Sequence, residues 1–165
     1  MRIKFCLSVV VILLLAGCTK TNAPVNFNCK VNGTYMQGTG VTYYTNPPVF
    51  QLVMTGPNNQ IVTVNWNNID SVGGIRTQMG PGTYTMSTSP LPPFIASASY
   101  ASFGINNYIT GSGSAFGGSV TITNNTGLGG LMSGTFSFTA LNTNAPYDTV
   151  YVTAGSFTNV RVGTN

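Results

Sequence analysis

The chain has 165 residues, 5% of them charged, with no histidine and a formal net charge of +4. Asp70 and Asp148 are its only acidic residues. That inventory argues against an enzyme or a metal centre: nucleophilic triads need an imidazole to move the proton, zinc needs three or four Cys, His or carboxylate ligands, and glycosidases need two carboxylates flanking one bond.

Arg2 and Lys4 begin the chain as a positive segment, and Phe5 to Ala16 follow as an apolar run interrupted by Ser8. A run of about 12 residues falls short of the roughly 20 that cross a bilayer. It reads as a cleaved secretion signal over residues 1–17. Leu15-Ala16-Gly17-Cys18 closes it with small residues running into a cysteine, the shape of a bacterial lipoprotein processing site. Cys18 is therefore the expected lipidation site, and two or three acyl chains there would anchor the protein stably.

The mature chain would keep Lys20, Lys30, Arg76 and Arg161 against Asp70 and Asp148, a net of +2. No basic patch of a nucleic-acid-binding kind remains. Cys6 leaves with the signal and Cys18 is acylated, so Cys29 has no disulfide partner. Residues 18–26 are polar, contain Pro24 and lack periodicity. They read as a lipidated N-terminus and tether, whose last eight residues reach at most roughly 26–29 Å.

Residues 27–165 read as one all-β domain. Phe27, Cys29 and Val31 alternate with Asn28 and Lys30. Val62, Val64 and Trp66 alternate with Thr63 and Asn65. The same period holds for Val120 and Ile122, for Phe136, Phe138 and Ala140, and for Val150 and Val152. Period-2 patterning predicts strands with one buried face. Gly56-Pro57-Asn58-Asn59, Asn124–Gly130 and Asn142–Pro146 punctuate these runs as turns. Pro90–Pro93 reads as a crossing loop and the glycine-rich Gly111–Gly118 as another loop. Many short strands at this spacing predict a mostly antiparallel β-sandwich or barrel-like single domain.

Few side chains in that domain invite chemistry. Cys29 shares its face with Phe27 and Val31 and is expected in the core as a small hydrophobe. Trp66 is flanked by asparagines, as in a sugar-stacking site, but lies on the Val62 and Val64 face and is also expected inside. Tyr43, Tyr44, Tyr100, Tyr108 and Tyr147 are the better candidates for a surface aromatic patch. No Ser-x-x-Lys stands near Lys30.

Several segments together resemble the small, uncharacterised all-β envelope lipoproteins of the Bacteroidota that carry a domain of unknown function. The segments are Phe27-Asn28-Cys29-Lys30-Val31-Asn32-Gly33, Gly82-Thr83-Tyr84 and Gly118-Ser119-Val120-Thr121-Ile122-Thr123. Ser133-Gly134-Thr135-Phe136-Ser137-Phe138 and Ala154-Gly155-Ser156-Phe157 complete the series. The chain departs from the pattern after Gly33, where Thr34-Tyr35 replaces a polar residue followed by Trp or Phe.

The resemblance implies that Asp70-Ser71-Val72 and Asp148-Thr149-Val150 are similar to the phylum's acceptor motif for protein O-glycosylation, making Ser71 and Thr149 candidate acceptors. Turn chemistry at Asp is the competing explanation. Thr19 is not the Asp that retains lipoproteins at the inner membrane, and the residues after Cys18 lack an acidic export tag. An outer-membrane lipoprotein on the periplasm-facing leaflet is the resulting expectation. Its role would be structural or binding, with no cofactor. The membrane is its first partner, through the lipid, and a glycan or another envelope protein the second. The alternatives are a glycan-binding surface module and an adhesin or fimbria-like subunit.

Overall fold

Burial alternates along the strands as the sequence pattern requires. In β1 (Phe27–Val31) the side chains of Phe27, Cys29 and Val31 are buried and Lys30 is exposed. The computed structural model describes residues 24–45, 49–67, 80–86, 95–102, 106–110, 117–127, 129–142 and 148–163. Cys18, Ser71 and the Pro90–Pro93 loop lie outside them, as does the glycine-rich stretch up to residue 116. The remaining strands are β2 (Thr34–Thr45), β3 (Val49–Thr55), β4 (Ile61–Asn67), β5 (Gly82–Met86), β6 (Ile95–Ser102), β7 (Asn106–Ile109), β8 (Gly118–Asn125), β9 (Leu131–Asn142) and β10 (Thr149–Arg161). Among the described residues there is no α-helix, and no helix long and apolar enough to cross a membrane.

All ten strands belong to one sheet, and it closes on itself. The circuit runs β10, β1, β2, β3, β4, β6, β5, β8, β9 and back to β10. β7 stands outside that circuit and bridges β6 to β9. The pairings between strands are antiparallel except that of β5 with β6, which run parallel and meet at Met86 and Ala96. Of the two expected architectures the molecule is therefore the barrel. Closure is the arrangement that removes edge strands, and side chains fill the interior. Leu52, Met54, Val62, Val64, Val120 and Val152 all lie in this single core.

Cross-strand pairs of phenylalanine and glycine build one side of that core. Phe27 pairs with Gly38, Phe136 with Gly155, Phe157 with Gly134 and Phe138 with Gly118. At Gly38, Gly134 and Gly155 the ring occupies space that a side chain on the glycine would need; at Gly118 the Ser137 carbonyl and the Phe138 Cα and Cβ occupy it. A Cβ at Gly155 would lie 2.5 Å from the Phe136 ring, one at Gly134 2.6 Å from that of Phe157, and one at Gly38 2.8 Å from that of Phe27. Phe136 packs on Phe157 and on Phe138, with ring centroids 6.4 Å apart in both cases. Aromatic rings over strand glycines pin register while letting the sheet curve.

Two irregularities keep β10 in phase with the core. Its buried positions are Val150 and Val152, then Gly155 and Phe157, then Val160. Register shifts fall between Val152 and Gly155 and between Phe157 and Val160. In these stretches Ala154 (φ 49°) and Asn159 (φ 52°) adopt the left-handed conformation. Each bulge adds a residue that faces away from the interior and sharpens the local twist, so a 13-residue strand can follow a curved wall.

The chain enters the barrel at the seam between β2 and β10. The Asn26 amide group donates to the Gly40 carbonyl (3.1 Å) and accepts from the Gly40 N–H. The Asn26 backbone bonds Gly38 on one side and Thr158 on the other. Beyond this point Thr42 meets Val162 directly, and its hydroxyl donates to the Arg161 carbonyl (2.7 Å). From Asn26, β1 runs away to a two-residue Asn32-Gly33 turn with positive φ at both positions (48° and 82°), the conformation that Asn-Gly hairpins favour.

Candidate functional site

The end of the barrel marked by the Asn32-Gly33 turn gathers the polar side chains that sequence reasoning placed elsewhere. Tyr100 and Tyr108, expected in a surface patch, are 5% and 8% exposed. They pack on each other with ring centroids 5.8 Å apart. Burial is possible because each hydroxyl has a partner. Gln60 donates its side-chain N–H to the Tyr100 hydroxyl (3.0 Å), and the Tyr108 hydroxyl donates to the Asp148 carboxylate (2.8 Å). The backbones of Tyr43 and Tyr44 belong to β2, and that of Trp66 to β4, where it pairs with Phe50 and Ala96. The side chains of these three residues, and Tyr147, lie outside the described residues.

Two other tyrosines are exposed instead. Tyr35 on β2 is 59% exposed and Tyr151 on β10 is 56% exposed. Both lie close to the Asn32-Gly33 turn: Tyr35 stands opposite Lys30, and the Tyr151 carbonyl accepts from the Asn32 N–H while the Tyr151 N–H donates to the Asn32 side-chain oxygen (2.9 Å). The signal for Tyr151 was present in the sequence, since it alternates with Val150 and Val152. Tyr35 likewise precedes the inward Met36, but the glycines at 38 and 40 obscure the pattern of β2.

A cavity of about 280 Å³ opens here, lined by Val31, Asn32, Tyr35, Met36, Gln60 and Tyr100, with Thr34 beside them. None of these side chains is charged at neutral pH. The Pro57–Asn59 turn that presents Gln60 is a single 3-10 turn, with Asn58 and Asn59 in the left-handed region. It follows Gly56 as the sequence pattern required.

Asp148 and Thr149 border this end. Asp148 is exposed, but its carboxylate is engaged: the Tyr108 hydroxyl, then the Asn142 side chain, holds its pKa below the ordinary carboxylate value. Burial, and next the hydrogen bond to Asp148, raises the Tyr108 hydroxyl above its ordinary value. The Asp148 carbonyl also accepts from the Asn142 N–H. Thr149 is the first residue of β10, half-buried opposite Leu141. The acid of the candidate acceptor motif is thus bonded to Tyr108 and Asn142, next to the first residue of β10. Cys29 is 1% exposed, and burial pushes its thiol up to about 11. Among the described residues no three His, Cys, Asp or Glu side chains cluster as metal ligands would.

The fold and site define an all-β barrel with, among the described residues, a small uncharged cavity at the Asn32-Gly33 end. The family model "Domain of unknown function (DUF6252)" matches residues 52–161, and the chain belongs to that family. No curated protein and no solved structure matches it significantly. The matched span begins within β3 and ends with β10, so β1 and β2, which join these two strands, precede it. Gly134, Phe136, Gly155 and Phe157 lie inside the span, in segments that carried the resemblance. Their reciprocal pairing across β9 and β10 makes them core residues.

Proposed function

We propose that the chain is a bacterial envelope lipoprotein related to those of the Bacteroidota. In this reading residues 1–17 are removed and Cys18 is acylated. The barrel then stands at the periplasm-facing leaflet of the outer membrane in a non-enzymatic binding or structural role. The Leu15-Ala16-Gly17-Cys18 junction carries the reading. The seam geometry fits it. The tether arrives at Asn26, and β1 leads away from there to the Asn32-Gly33 end. The cavity and the exposed tyrosines would then face away from the point of attachment.

Incorporation of labelled palmitate in a bacterial host tests the anchor. Label on the wild type and none on Cys18→Ser is the expected result. Equal label on both, or none on either, overturns it. A binding role is favoured over a strand-donating adhesin subunit, because such a subunit needs an open sheet edge and the circuit of strands is closed.

A further inference from the structure

The cavity beside the Asn32-Gly33 turn matches a specific ligand chemistry. Its lining holds the buried apolar side chains of Val31 and Met36 and the exposed residue Tyr35, whose hydroxyl donates to the Gln37 side chain (3.3 Å). Its polar groups are amides and hydroxyls, from Asn32, Thr34, Gln60 and Tyr100. Amides and hydroxyls both donate and accept, as sugar hydroxyls do. The Tyr100 hydroxyl accepts from Gln60, which leaves its own proton to give, and among the described residues no acceptor takes it. Tyr100 is 95% buried by its packing, so this donor is held in place.

An anionic ligand would find no cation in this lining. A purely apolar ligand would desolvate the amides and hydroxyls without pairing them, which disfavours it. A pyranose ring offers both an apolar C–H face and a hydroxyl edge. The volume, about 280 Å³, falls just below the roughly 300–1,000 Å³ of pockets for drug-sized ligands and suits one sugar residue at a time.

We propose that this cavity binds a neutral sugar residue of a glycan, with Tyr35 stacking on the ring and the Gln60–Tyr100 pair bonding adjacent hydroxyls. The proposal deepens the binding role proposed above but does not depend on the lipid anchor. The test uses the full chain, expressed with its own N-terminus and purified in detergent from whichever fraction holds it. Saturation-transfer NMR is recorded with maltotriose, cellotriose, laminaritriose, mannotriose and chitotriose, and with trigalacturonate as the charged comparison.

Saturable binding of at least one neutral trisaccharide is expected. It should weaken about tenfold in Tyr35→Ala and in Gln60→Ala and stay unchanged in Arg161→Ala, which alters the other end of β10. Tyr35 is exposed, so its variant keeps the fold, and circular dichroism checks this. The proposal fails if no neutral trisaccharide binds, if trigalacturonate binds best, or if both cavity variants bind like the wild type. Binding that persists when Cys18→Ser loses no palmitate label would overturn the anchor and leave the sugar site standing.

Discussion

The barrel wall is built differently on its two sides. From β8 through β9, β10 and β1 to β2, phenylalanines pair with glycines: Phe138 with Gly118, and, with the ring over the glycine, Phe136 with Gly155, Phe157 with Gly134 and Phe27 with Gly38. From β3 through β4 to β6, apart from Tyr100 opposite Val62, the described inward side chains are medium and small aliphatics, with Leu52 opposite Val64, Met54 opposite Val62 and Val64 opposite Ala98. The first side is a set of unique fits, in which moving a strand by one residue removes every ring from its glycine. The second side tolerates exchange, because aliphatic volumes interchange with little strain. Register is thus specified on one side, and the other side follows once the sheet has closed.

Phe157→Ala is the largest expected break in that comparison. It removes a ring that is 1% exposed, touches Phe136 and covers Gly134. A loss of about 3–5 kcal/mol is expected, read by urea unfolding. Gly155→Ala attacks the same fit from the opposite residue. Its new methyl would sit 2.5 Å from the Phe136 ring, and about 1–3 kcal/mol should be lost. Leu52→Met on the aliphatic side, although Leu52 is fully buried, should cost under about 1.5 kcal/mol. If Leu52→Met costs as much as Gly155→Ala, the two sides do not differ in the way argued.

What the sequence revealed cuts across that division: β4, on the aliphatic side, was legible from Val62 and Val64, whereas glycines obscured β2. The strands β1, β8, β9 and β10 were legible because Phe, Val and Ile alternate with Thr, Ser and Asn. β6 was not, because its inward residues Ala96 and Ala98 contrast only weakly with Ser97 and Ser99. Without that strand Tyr100 had no face, and with its polar tip it read as a surface residue. Tyr108 was misplaced for the same reason: its burial depends on Asp148, 40 residues away. Closure was invisible too, since it rests on pairings between the ends of the domain, β1 with β10, that no local pattern encodes. In β10 the two bulges interrupt the period, so the alternation was followed only as far as Val152. The site was legible as a set of residue types, amides and tyrosines, but not as a place.

The first bulge offers a smaller test on the phenylalanine side. Ala154 has a left-handed backbone (φ 49°) that disfavours a Cβ, at a cost of roughly 1–2 kcal/mol for an L-residue. It is exposed, so its methyl contributes little packing. Ala154→Gly should raise stability, by up to about 1 kcal/mol once the greater freedom of glycine in the unfolded chain is set against the relief. A loss of stability would mean that the methyl helps to hold the bulge and the register beyond it.

The smallest expected effect concerns how the aliphatic side is tied to β9. There β7 bridges β6 and β9, and polar contacts hold it: the Ala98 N–H donates to the Thr110 hydroxyl (2.9 Å), and Tyr108 donates to Asp148. The hydrogen bond from Tyr108 stabilises the Asp148 carboxylate and places its folded pKa below the unfolded value of about 3.9. A carboxyl depressed on folding stabilises the protein above its unfolded pKa, and that contribution fades as pH falls through the folded value. In Asp148→Asn the amide oxygen can still accept from Tyr108, but without a charge that titrates. Unfolding measured from pH 6 down to pH 3 should show the wild type more stable at the upper end and the two proteins converging at the lower. Tyr108→Phe should lose the larger share of that pH-dependent part, because the Asn142 bond to the carboxylate remains. A difference constant across that range would mean that the Tyr108–Asp148 contact contributes through shape alone, and that the β7 bridge, like the phenylalanine side, is held by packing.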